Sequence, residues 1–163
     1  MSLKPELVTK AIAEAKSTSA RRRFEQSIDL VVTFRDIDIK KPENKFSLTV
    51  TLPHAIPNKL NKICMIASGS MVLSARDAGV DLVQPNADLK PIVDRYRRSV
   101  RIKIKDQPQV MARVGSEAMN EKELVENINA VLEEIFKKVS PEKVRAIYVK
   151  LTMGSPIKLT LSQ

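Results

Sequence analysis

The sequence predicts an α+β fold: a mostly antiparallel sheet with helices packed on one face, interrupted by a short remnant of an α/β unit. Three observations lead there. Residues 46–52 and 99–105 alternate apolar and polar side chains, the pattern of strands with one wet face. Residues 5–16 and 120–138 repeat apolar side chains at helical spacing. Between them, residues 53–85 change texture. The continuously apolar run 62–67 ends in Ser68-Gly69-Ser70. A short helix pattern runs to Ala78, with Gly79 suited to the position just past its end, and a strand follows at Val80 to Val83. One such crossover buries too little to stand alone, so 53–85 reads as an insertion into a domain built from 1–52 and 86–163.

Each element has its own reason. In 5–16, Leu7, Val8, Ala11, Ile12 and Ala15 share a face, and Pro5 suits a first turn. The polar break Ser17-Thr18-Ser19 and the run Arg21-Arg22-Arg23 follow. Residues 28–34 form a strand with Leu30, Val32 and Phe34 on one side. Asp36 to Asn44 is a charged loop. In 46–52, Phe46, Leu48, Val50 and Leu52 point in. Asn86 suits the N-cap of a helix carrying Leu89, Ile92, Val93 and Tyr96. Val100, Ile102 and Ile104 then face in, and Val110 to Val114 is a strand. Asn120 caps the clearest helix, with Glu123 at the reciprocal position and Leu124, Ile128, Val131, Leu132, Ile135 and Val139 as its stripe. Strands 145–152 and 156–161 close the chain around Met153-Gly154-Ser155.

Composition narrows the function. The 163 residues are 43% hydrophobic and 29% charged, enough for one packed core. The net charge of +9 suits a polyanionic partner. A single cysteine, in the apolar run Ile63-Cys64-Met65-Ile66, reads as a buried thiol in a reducing compartment. No apolar run reaches the length of a membrane span. These features predict a soluble cytoplasmic protein. One histidine, His54, and no Cys/His cluster leave no zinc ligand set and no Ser-His-Asp arrangement. The Ser68-Gly69-Ser70 turn lacks the lysine a phosphate loop needs, which disfavours a nucleotide-using enzyme. We therefore expect no catalysis, no cofactor and no metal.

Three stretches remain as candidates. Arg95 to Lys105 holds six basic residues and no acidic one, with Arg101, Lys103 and Lys105 on the outward face. That ridge fits either phosphate contacts or a solvated edge. Around Arg23-Phe24-Glu25-Gln26-Ser27-Ile28-Asp29, Phe24 taken alone reads as the first core residue of its strand. An aromatic beside arginines also suits stacking on a base or ribose. Lys150-Leu151-Thr152-Met153-Gly154 taken alone reads as a hairpin turn. Its hydroxyl, adaptable thioether and close-approach glycine also suit ribose 2′-OH groups.

Taken together, Phe24-x-x-Ser27, Lys40-Lys41-Pro42-Glu43-Asn44, Leu52-Pro53-His54, Asn86-Ala87-Asp88 and Tyr148-Val149-Lys150-x-Thr152-Met153-Gly154 resemble the large-subunit ribosomal protein L-one family, in its archaeal type. The likeness runs in order over nearly the whole chain. It implies an α+β domain, formed by both chain ends, that binds large-subunit rRNA at the mobile stalk near the exit site for deacylated tRNA. A Rossmann-like second domain interrupts it. The resemblance also implies translational repression through the protein's own mRNA and a monomer outside the cytoplasmic ribosome; contacts to tRNA belong to the family's second domain, most of which has no counterpart in 53–85. It gathers Arg23, Phe24, Ser27, Asp29, Lys150, Thr152, Met153 and Gly154 on one RNA-facing surface, with Asp29 accepting from a ribose hydroxyl. Two departures stand out. The family's second domain is considerably longer than 53–85, so the junction falls at Val83-Gln84-Pro85-Asn86. Ser155 and Ala55 stand where the family usually has Pro and Gly.

Overall fold

The computed structural model describes residues 5–57, 62, 73, 77 and 89–159. The β-α-β insert expected over 53–85 lies outside the described residues beyond its first five positions and those isolated three. So do Cys64, the Ser68–Ser70 turn, the Val83–Asn86 junction and the Asn86 cap.

Helix α1 spans Pro5–Thr18 and buries Val8, Ala11, Ile12 and Ala15. It runs two residues past the expected stop. The reason is local: the Ser17 and Thr18 hydroxyls both donate to the Glu14 carbonyl, at 2.9 and 2.8 Å, and so satisfy the end of the helix from within it. Strand β1, Ser27–Phe34, buries Ile28, Leu30, Val32 and Phe34 on one face. The charged loop after it contains a short 3-10 turn at Pro42–Asn44, tied by Asn44 Nδ2 donating to the Asp38 carbonyl at 2.7 Å.

The antiparallel strands divide into two sheets. Strands β2 (Ser47–Thr51) and β3 (Ser99–Lys103) pair only with each other, Thr49 opposite Arg101. This ribbon carries Val50 and Ile102 into the core and leaves Arg101 and Lys103 exposed. Between its strands comes α2, Leu89–Arg97, where Val93 is buried. Tyr96, placed on the apolar stripe by the sequence, is instead 56% exposed. It sits in the last turn of this nine-residue helix, where the ribbon rather than the core is its neighbour.

The main sheet has the order β4-β1-β5-β6, antiparallel throughout, with β4 at Gln109–Ser116, β5 at Val144–Leu151 and β6 at Ile157–Leu159. Helix α3, Glu121–Phe136, starts where predicted: Glu123 Oε2 accepts from the Asn120 N–H at 3.3 Å. Its buried stripe of Leu124, Ile128, Val131, Leu132 and Ile135 packs over β4, while α1 packs over β5 and β6 and touches α3. Among the described residues, the helices α1 and α3 thus cover one face of the sheet, and the other face carries half-buried side chains such as Asp29, Val31, Tyr148 and Lys150.

A bulge between Ile28 and Asp29 resets the β1–β4 register, so that Gly115 pairs with Ile28 and Arg113 with Asp29. Gly115 lets α3 come close. A Cβ there would lie 2.1 Å from Leu124 Cδ2, deep in the core. Gly115→Ala is expected to lower stability by about 1–3 kcal/mol through overpacking, measurable by denaturant unfolding.

Candidate nucleic-acid interface

The start of β1 and the β5–β6 bend are far apart in sequence and joined in space. The bend is a tight turn, with the Gly154 N–H donating to the Leu151 carbonyl at 3.0 Å. The Thr152 N–H donates to the Ser27 carbonyl at 3.0 Å. The Thr152 hydroxyl accepts from the Ser27 N–H at 3.1 Å and donates to the Ser27 carbonyl at 3.3 Å. One lone pair of that hydroxyl is left for another donor.

Gln26, a residue the sequence reading passed over, organises the junction. Its side chain is 1% exposed. Its Oε1 accepts from the Met153 N–H at 3.1 Å, and its Nε2 donates to Ser19 Oγ at 3.2 Å. Its backbone exchanges bonds with Glu117: the Gln26 N–H donates to Glu117 Oε1, and the Glu117 N–H to the Gln26 carbonyl, both at 3.0 Å. One buried residue therefore links the end of α1 and the bend through its side chain and the loop after β4 through its backbone. Beside it, the Ser116 hydroxyl donates to Glu25. Gly154 completes the fit, because a Cβ there would meet Ser19 Oγ at 3.3 Å and Leu151 Cβ at 3.2 Å.

Above this buried network the side chains are open to solvent. Phe24 is 51% exposed and Met153 61%. Phe24 is not the first core residue of its strand; Ile28 takes that place, because β1 starts only at Ser27. Arg23 and Thr152 are exposed as well. Ser27 is buried, so it lies beneath the patch and contributes the backbone groups that bracket Thr152 rather than a surface hydroxyl.

Asp29 and Lys150 lie half-buried on that other face of the sheet, in a row of cross-strand neighbours: Arg113 on β4, Asp29 on β1, Lys150 on β5. The basic ridge is a separate feature on the ribbon. Arg101 Nε donates to Ser47 Oγ at 2.9 Å, and Lys105 pairs with Asp106 at 3.5 Å. Arg113 joins the two, lining one cleft with Arg101. Of the predicted residues, the Thr152–Gly154 bend is bonded to the start of β1, Phe24 lies exposed three residues before that strand, Asp29 and Lys150 share a cross-strand row, and Arg101, Lys103 and Lys105 form a ridge. Among the described residues no cluster of His, Cys, Asp and Glu is arranged to hold a metal ion, and no helix is long and apolar enough to cross a membrane.

Comparison with known proteins matches residues 15–91 and 83–155 to the ribosomal protein L1p/L10e family. The chain belongs to this family. Its relatives include proteins named large ribosomal subunit protein uL1. The one from Thermofilum pendens is 37% identical over 205 positions, covering 92% of this chain and 91% of that protein. The one from Pyrobaculum arsenaticum is 35% identical, covering 96% and 95%, and the one from Aeropyrum pernix 32%, covering 93% and 94%. The first match spans more positions than the 163 residues of this chain, so that L1 relative carries residues with no counterpart here. The L1 match includes β1, the ribbon, α3 and the Thr152–Gly154 bend.

The Leu52-Pro53-His54 motif also has a structural role. The Leu52 N–H donates to the Arg98 carbonyl at 2.9 Å, extending the ribbon pairing. The side chain of Asn127, fully buried on α3, accepts from the His54 N–H at 2.9 Å and donates to the carbonyls of His54 and Val114 at 3.1 and 2.9 Å. His54 Nε2 lies 2.6 Å from Glu126 Oε2. The chain is thereby clamped at the point where it leaves β2.

Proposed function

We propose that this protein is a structural constituent of the large ribosomal subunit, working on the cytoplasmic ribosome without catalysis, and that it binds large-subunit rRNA through Phe24 and the bend, the row and the ridge. The observation that carries the site is the buried bonding of Gln26 and Ser27 to Met153 and Thr152. It presents an aromatic ring, a thioether and a hydroxyl on a rigid base, beside arginines. Such a surface suits RNA read by shape, ribose hydroxyls and phosphates, with little base-edge readout. Asp29 fits this scheme as an acceptor for a 2′-OH. Residues 1–52 and 86–163 form the RNA-binding domain, and 53–85 is the shortened remnant of a second one. A reader of shape would also accept a like-folded site on the protein's own mRNA. Contacts to tRNA would belong to the second domain and are not part of this proposal.

The test is binding to a fragment of large-subunit rRNA at rising salt, against unrelated structured RNA. Preference for the rRNA fragment is the expected result; equal affinity for both would count against the proposal. Thr152→Val should cost about 1–3 kcal/mol of affinity, since it removes a bonded hydroxyl from the interface. Lys103→Gln should weaken binding at low salt and reduce the slope of log affinity against log salt by about 1. An unchanged slope would make the ridge a solvated edge.

A further inference from the structure

The ribbon, the end of α2 and β4 enclose a cleft of about 840 Å³, lined by Ser47, Thr49, Tyr96, Ser99, Arg101 and Arg113. We propose that this cleft takes one unstacked nucleotide of the bound RNA, its base against the Tyr96 ring and its phosphate between Arg101 and Arg113. The proposal rests on the rRNA-binding reading and adds to its ridge and row the Tyr96 side of the cleft between them.

Three features point to this ligand. First, two guanidinium groups share one concavity, and no carboxylate is among the described residues that line it. The paired N–H groups of arginine match phosphate oxygens. Arg101 is already oriented, because its Nε donates to Ser47 Oγ and its other nitrogens bond to no described residue. Second, Tyr96 is 56% exposed and lines the same cleft as the two arginines. An aromatic face next to arginines is the common platform for a base drawn out of a helix. Third, the hydroxyls of Ser47 and Thr49 on the cleft wall supply partners for a ribose. The cleft also connects with the rest of the interface, since Arg113 is the cross-strand neighbour of Asp29.

The full chain is titrated with the rRNA fragment and irradiated with a single-stranded hexamer of 4-thiouridine, adducts being mapped by mass spectrometry. Tyr96→Leu should weaken binding of the rRNA fragment about tenfold, whereas Tyr96→Phe should not, because the stacking face survives. Arg113→Gln should reduce the salt slope by about 1. Hexamer adducts should fall on Tyr96. Wild-type affinity in Tyr96→Leu with an unchanged circular-dichroism spectrum would overturn the proposal, as would adducts confined to the Phe24 and Met153 segments. Failure of the wild type to prefer the rRNA fragment would instead strike the rRNA reading, while a hexamer adduct at Tyr96 would still support a nucleotide in the cleft.

Discussion

Asn127→Leu is expected to destabilise the protein by about 3 kcal/mol and to lower its melting temperature by roughly 10 °C. The substituted leucine suits the volume and the apolar stripe of α3, so packing alone would predict a small effect. Hydrogen bonding decides otherwise. The side chain satisfies both backbone groups of His54 and the carbonyl of Val114, a residue with no exposed surface. A leucine leaves these groups without partners, and each unsatisfied buried group costs about 1–3 kcal/mol. The His54–Glu126 pair is surface-exposed and contributes little in compensation. Thermal unfolding followed by circular dichroism measures the effect. A melting temperature within two degrees of wild type would show that water replaces the amide.

Gln26→Leu is expected to weaken rRNA binding about tenfold while costing only about 1–2 kcal/mol of stability. The backbone bonds to Glu117 survive, so the loop after β4 stays in place. What is lost is the pair of side-chain bonds that holds Met153 against the end of α1. The bend then samples several positions, and binding must select one of them. Gln26→Glu separates the two bonds: the carboxylate still accepts from the Met153 N–H but no longer donates to Ser19. It should fall between wild type and leucine. Equal affinity for all three proteins would mean that the bend needs no support from below.

Much of the fold was legible because burial has a period. Alternation in 46–52 and 99–105 gave strands with the right faces inward, and the α3 stripe with its cap was readable residue by residue. Phe24 and Tyr96 were harder. Tyr96 sits in the last turn of its helix and Phe24 three residues before its strand, and there the position of the element's end decides between core and solvent. Gln26 and Asn127 carry no periodic signal at all. Each is a polar residue in or beside an apolar stretch, and its role depends on partners 127 and 73 residues away in the chain. The division of the antiparallel strands into a sheet and a ribbon is likewise a matter of pairing between distant segments, which alternation does not specify. The candidate surface was assembled through motif resemblance, since its residues looked ordinary singly: a hairpin turn, a strand edge and a lone ring.

The account depends on sugar edges meeting the bend beside Phe24. A double-mutant cycle tests this most directly. Affinity of wild type and Thr152→Val is measured for the rRNA fragment and for a series in which one ribose at a time lacks its 2′-OH. The account predicts a position where removing the hydroxyl weakens the wild type but leaves the variant unaffected. Thr152→Val binding like wild type, or additive losses at every position, would contradict it.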